Sequence, residues 1–141
     1  MEKKISFRSS AEHYAADACI VWCFDDRFSG LLGEFSKTFK NFDLVKIAGG
    51  AKALAGGASP ERDFVLNQIT TSARLHGAKQ VVLMLHRDCG AYGGSKNFEN
   101  PNTEKASQEN QLAEARRFIM NEVPGVSVDA YFADFDGLYP V

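Results

Sequence analysis

Three apolar runs recur along the chain, too far apart for hairpins: Ala18-Cys19-Ile20-Val21-Trp22-Cys23, Phe42 to Ala48 with Leu44, Val45 and Ile47, and Gln80-Val81-Val82-Leu83-Met84-Leu85 ahead of His86. The first has no polar position, which predicts a strand buried on both faces, as in a parallel sheet. A fourth strand is expected over 126–133. Between the runs the spacing turns helical. Phe28, Leu31, Leu32, Phe35 and Phe39 fall on one helical face. Ser59-Pro60-Glu61 is a helix start, with a capping hydroxyl, proline at the first position and an acid in the first turn. That helix should run through Leu66, Ile69 and Ala73 and stop at Gly77. A third is expected from about Thr103 to Glu122, closed by Pro124-Gly125. Ser9-Ser10-Ala11-Glu12 has capping-box spacing and predicts a short helix to about Ala16. Residues 1–8 read as a loose arm, 49–57 as a loop with one helical turn, 93–102 as a surface loop and 134–137 as a tight turn. Strands alternating with helices predict an α/β fold, a mainly parallel β-sheet flanked by helices, with residues 1–141 as one domain. In such sheets ligands sit beyond the carboxyl ends of the strands.

Composition narrows the function classes. The chain has 141 residues, enough for a core without disulfide staples, and eleven Phe give that core bulk. A net charge of −2 with no basic cluster argues against nucleic acid as a partner. No apolar run approaches the ~20 residues of a membrane span, and Met1-Glu2-Lys3-Lys4 does not start a signal peptide. A cytoplasmic protein is expected, in which three Cys read as thiols or metal ligands rather than bridges.

Two of the strand exits carry chemistry. Cys23-Phe24-Asp25-Asp26-Arg27 follows the first strand, and His86-Arg87-Asp88-Cys89-Gly90 follows the third. Polar groups this dense at a buried strand end are costly unless a ligand or metal uses them. Cys23, His86 and Cys89 offer two thiolates and an imidazole, and three protein ligands with one open position is the arrangement of a catalytic zinc. Soft sulfur donors favour zinc over magnesium or calcium. The two-residue gap between His86 and Cys89 lets both side chains turn onto one ion. Cys19 and Trp22 read as core, and His13 and His76 as surface or capping residues of helical segments. Asp25 and Arg27 on their own would be a solvated ion pair worth ~0–1 kcal/mol. Arg87 either attracts an anion beside the site or pairs with Asp88 or Asp26.

Taken together, C-x-D-x-R and H-x-x-C resemble the two motifs of the β-class carbonic anhydrases. The resemblance implies zinc on Cys23, His86 and Cys89, and a catalytic dyad of Asp25 and Arg27. In that dyad Asp25 either orients the hydroxide on zinc or, released from Arg27, becomes a fourth ligand and closes the site. It implies reversible hydration of carbon dioxide to bicarbonate, and a homodimer or higher homo-oligomer. Lys46-Ile47-Ala48-Gly49-Gly50 is similar to the family's Arg-x-Ala-Gly-Asn segment, and residues 126–138 to its last strand and Asp-x-x-x-Gly turn. Four positions depart: Leu85 and Arg87 replace Gly and Ser or Thr around the His, Gly50 replaces Asn, and Asp26 stands where Ser is common. The chain is also short, with a trimmed N-terminal arm; in the family that arm wraps the partner subunit. Two thiolates cancel the formal charge of Zn²⁺, so water on it should be less acidic than on a three-His site and the hydration rate should climb above neutral pH.

Two other readings remain. One is a zinc protein of the same fold that hydrolyses a related small molecule such as carbon disulfide, or that regulates without catalysis. The second is a magnesium-dependent phosphoryl-transfer site on Asp25-Asp26, with 49–57 as phosphate cradle. That stretch matches neither GxxxxGK[ST] nor GxGxxG, and two Cys would be idle.

Overall fold

The computed structural model describes all 141 residues. In chain order it contains β1 (Ala18–Cys23), α1 (Ser29–Ser36), β2 (Phe42–Ile47), α2 (Pro60–His76), β3 (Gln80–His86), α3 (Pro101–Glu122), β4 (Ser127–Asp134) and β5 (Gly137–Pro140). The five strands form one sheet in the order β2-β1-β3-β4-β5. All pairs are parallel except β4 and β5, which form a hairpin. The chain moves from β1 to one side, then crosses back over β1 to build the other side. The crevice of this doubly wound sheet therefore lies between the carboxyl ends of β1 and β3.

The helices start and stop where the local chemistry directs. Ser59 accepts a hydrogen bond from Arg62 N at 3.0 Å with Pro60 at the first position of α2, and Gly77 ends that helix at φ 68°. Asn100 and Thr103 cap α3 reciprocally. One face of the sheet packs Val21, Val81, Leu83, Leu85 and Phe132 against Val65 and Ile69 of α2 and Leu112 and Ile119 of α3. On the other face Ile20, Trp22, Val82 and Met84 pack with Phe28 and Leu32. Each of these side chains fully buried contributes about 1.5–3 kcal/mol, so the strand ends are fixed from both faces.

Two expectations fail. Residues 9–16 form no helix; only Ser10 Oγ accepts a local bond from Glu12 N at 3.2 Å. The segment is exposed up to Ala15, and so short a helix is marginal without a packed face. His13 is therefore exposed on irregular chain. The second failure is β5, a four-residue edge strand ending at Pro140, too short to show a period.

At the opposite end of the sheet from the crevice, Asp43 of β2 gathers the Tyr14 hydroxyl, the Ser72 hydroxyl at 2.7 Å and His76 Nδ1 at 2.7 Å. Burial pushes the Asp43 carboxyl up, but the hydrogen bonds from Tyr14, Ser72 and His76 outweigh it and hold it below the usual 3.8. A carboxylate lowered on folding adds stability above its unfolded value, and that stability is lost as pH falls through the folded value. Asp43→Asn is expected to cost about 1–3 kcal/mol at neutral pH and to flatten the acid limb below about pH 4. Urea denaturation followed by the single Trp22 checks this; equal midpoints for both proteins from pH 7 to 2 would contradict it.

Candidate metal centre

The C-x-D-x-R spacing has a local cause. Past Cys23 the chain enters a 3₁₀ turn, Asp26–Phe28, and the Asp25 carboxylate caps it by accepting from Arg27 N at 3.0 Å. The same carboxylate meets the Arg27 guanidinium, with Nε at 3.1 and 3.2 Å and Nη2 at 2.8 Å. Two residues is the separation at which one Asp serves both. After β3, His86 Nδ1 lies 2.7 Å from the Arg87 carbonyl oxygen. A carbonyl only accepts, so Nδ1 carries the proton and Nε2 keeps its lone pair. Asp88 adopts a left-handed conformation at φ 57°, which reverses the chain and returns Cys89 to the strand ends.

These turns bring Cys23, His86 and Cys89 together. One donor atom from each lies within 4.8 Å of the others, and the residues are 3%, 0% and 2% exposed. His86 Nε2 is buried without a hydrogen-bond partner, a state that costs about 1–3 kcal/mol unless something binds there. The neighbouring Cys89 thiol, helped by His86, outweighs burial and holds Cys23 well below the usual thiol range, while the proximity of Cys23 together with burial holds Cys89 high. Two sulfurs and an imidazole nitrogen with a free lone pair are a donor set that could hold a metal ion. Asp25 Oδ2 stands 3.9 Å from His86 Nε2, beside the convergence point. Arg27 keeps its carboxyl down at about 2.

A cleft of about 1000 Å³ runs beside these turns, lined by Ile47, Ala48, Lys52, Phe64, Ala91 and Gln111 among others. Ile47 is the register partner of Cys23, and Ala91 lies two residues past Cys89. The buried Phe28 packs on His86, with ring centroids 4.4 Å apart.

A family model described as "Putative carbonic anhydrase" matches residues 14–138. The chain belongs to that carbonic anhydrase family. Its fold is of the β-carbonic-anhydrase type, and its low identity to the solved structures fits a divergent member of the family. Its fold is similar to that of a carbonic anhydrase from Streptococcus mutans, at 17% identity over 94% of this chain and 87% of that one, with a TM-score of 0.67. The β-carbonic anhydrase isoform I of Trichomonas vaginalis gives 16% identity, coverage of 94% and 87%, and a TM-score of 0.64. A carbon disulfide hydrolase shares the fold too, at 14% identity, coverage of 89% and 78%, and a TM-score of 0.57.

Within this carbonic anhydrase family member, two expectations about the exits need correction. Arg87 pairs with neither Asp88 nor Asp26. Its guanidinium is held by Asp134 at 2.8 Å and Glu104 at 3.0 Å, with the Pro101 carbonyl at 2.7 Å, so two carboxylates already neutralise its charge and it is not free to draw an anion. The sheet explains why: Arg87 continues the β3 face that carries Leu83 and Leu85 toward α3. Asp26 accepts from Ser29 Oγ at 3.2 Å and does not join Asp25 in a carboxylate pair. In 49–57 the turn Gly50–Leu54 packs back on the strands instead of forming a phosphate cradle. Sequence reading also missed Glu104, Asp88, Ser95 and Asp134. Glu104 had a signal: it stands four and eight residues before Gln108 and Leu112 on the buried stripe of α3, where a carboxylate needs partners.

Proposed function

We propose that the chain is a single zinc-binding unit that catalyses the reversible hydration of carbon dioxide to bicarbonate, with Cys23, His86 and Cys89 as the metal ligands and Asp25 and Arg27 as the catalytic pair. The orphaned, buried Nε2 of His86, facing two thiols at the switch point of the sheet, carries the reading. Zinc there would supply Lewis acidity that makes water a nucleophile. The protein's own part is positional. His86 is fixed in one tautomer by the Arg87 carbonyl, Cys23 by its place as the last residue of β1, and Cys89 by the turn that follows β3. Asp25 stays ionised, so at neutral pH it acts as a hydrogen-bond acceptor that can turn a water's lone pair toward substrate, and not as a proton donor. Arg27 holds it in that orientation; without Arg27, Asp25 is near enough to become a fourth ligand. The apolar part of the cleft, with Ile47, Phe64 and Ala91, suits a small uncharged molecule. A cytoplasmic homodimer or higher homo-oligomer completes the proposal, supported by family membership.

Stopped-flow CO₂ hydration on protein of measured zinc content tests it. The rate should rise between pH 6 and 9, and Asp25→Asn and Arg27→Ala should each lower it by about ten- to a hundredfold with zinc retained. Full zinc occupancy with no rate above background would sink it. The likeness to carbon disulfide hydrolase, together with Leu85 and Arg87 at the departures, favours hydrolysis of that substrate as the second reading. Sulfide release from carbon disulfide by the same zinc-loaded protein would then be the positive result.

A further inference from the structure

Arg27 is held from two sides. Asp25 takes Nε and Nη2, while Asp88 takes Nη1 on its carboxylate at 3.1 Å and Nη2 on its main-chain carbonyl at 3.0 Å. Asp25 is the side of this grip whose carboxylate stands 3.9 Å from His86 Nε2; Asp88 is the more exposed side. Asp88 is nearly half exposed, and an exposed ion pair does not by itself fix a long side chain. What fixes Asp88 lies beneath it.

The Asp88 main chain sits in the left-handed region, which a residue other than glycine adopts only when its surroundings impose it. The imposing group is Glu104, on the first turns of α3 and 1% exposed. Its Oε2 accepts from Asp88 N at 2.8 Å and its Oε1 from Arg87 Nη1 at 3.0 Å, while the Ser95 hydroxyl lies 2.8 and 3.0 Å from the two oxygens. Ser95 N in turn donates to Asp88 Oδ1 at 2.8 Å. Arg87 and Ser95 thus compensate a buried charge whose remaining contact goes to the backbone N–H that sets the turn. The chain of contacts runs from α3 through Asp88 to Arg27 and ends on Asp25.

We propose that Glu104 is a positioning residue for the Asp25–Arg27 pair: it holds the Asp88 turn in the conformation that grips Arg27, and so keeps Asp25 turned toward Arg27 and away from the metal ligands. The reading rests on a metal at Cys23, His86 and Cys89 for its consequence, but every contact of the grip is made by the chain's own groups. Glu104→Gln removes the charge and puts an amide donor against Asp88 N or Arg87. Glu104→Asp keeps the charge near Arg87 but draws it back by one methylene from Asp88.

Two measurements test the proposal. In metal-free protein the Arg27 Nε–H, assigned by its loss in Arg27→Lys, should exchange with water at least tenfold faster in either Glu104 variant than in the parent. In cobalt(II)-loaded protein the visible spectrum of Glu104→Gln should depart from the parent as Asp25 reaches the ion, and that departure should vanish in the double variant with Asp25→Ala. Failure of cobalt and zinc to bind would overturn the proposed function while the exchange measurement still decides on Glu104. Unchanged Arg27 exchange in a folded variant overturns the positioning role. A spectral change that persists without Asp25 also overturns it, as does loss of fold in both variants, which would make Glu104 a requirement of the core.

Discussion

Serine in place of Cys89 is expected to strip the protein of zinc. Removing a group that merely orients a metal ligand costs ten- to a hundredfold in affinity, and removing the ligand itself should cost at least about a hundredfold. The hydroxyl is a harder donor than the thiolate it replaces, and it does not deprotonate in a site already holding the charge of Cys23. The change is nearly isosteric, and Cys89 also serves the fold through its carbonyl, which accepts from Tyr92 N and Gly94 N at 3.0 and 2.9 Å; serine keeps both bonds. Loss of metal is therefore expected without loss of the turn. Cys19→Ser supplies the contrast. Cys19 is as buried as Cys89, but it lies inside β1, burial pushes its thiol up to about 11, and it belongs to no donor cluster. Its replacement should leave zinc content unchanged. Dialysis against excess zinc, followed by metal analysis and competition with a chromophoric chelator, reads both variants. Stoichiometric, tight zinc in Cys89→Ser would remove the metal centre from its proposed place; equal loss in both variants would point to general unfolding.

What the sequence made legible follows from which interactions are local. Cys23, His86 and Cys89 could be brought to one point from sequence because Cys23 and His86 end runs apolar enough to be central strands, parallel strands align their carboxyl ends, and the two-residue gap after His86 lets Cys89 turn back onto them. The Asp25–Arg27 pair is implied by the family resemblance, and the structure supplies its local cause, a two-residue spacing that closes on itself in a 3₁₀ turn. Arg87 could not be placed. The acids expected to pair with it, Asp88 next to it in sequence and Asp26 in the other motif, face elsewhere, and its true partners, Glu104 and Asp134, come from a helix and a strand fixed only by tertiary packing. The same holds for the N-terminal segment, whose capping-box letters are outweighed by the anchoring of Tyr14 on Asp43 and of Ala16 N on the His76 carbonyl. Local propensity decides where tertiary contacts are silent, and here they were not.

Gly50→Ala is expected to destabilise the fold by roughly 2–5 kcal/mol, the largest stability effect of any single methyl added near the site. Two penalties add. Gly50 has φ 55°, where alanine is strained by about 1–2 kcal/mol. A Cβ there would also stand 2.5 Å from the Met84 carbonyl oxygen and 3.1 Å from Cys23 N. Both are backbone atoms of central strands, β3 and β1, so neither can give way without disturbing the ladder, and overpacking of this kind costs about 1–3 kcal/mol. Gly56→Ala isolates the first penalty: at φ 86°, with nothing within 4 Å of the place its Cβ would take, it carries the backbone strain alone. Urea denaturation should therefore place Gly50→Ala below Gly56→Ala by about 1–3 kcal/mol. Because one of the two collisions is with the main chain of Cys23, Gly50→Ala should also weaken zinc binding, and Gly56→Ala should not. The departure from the Asn found at this position in the resembling segment then has a physical reason, since any side chain would enter the space that β1 and β3 occupy. Equal costs for the two variants, with zinc affinity intact in both, would show that close backbone approach is not what requires glycine at position 50.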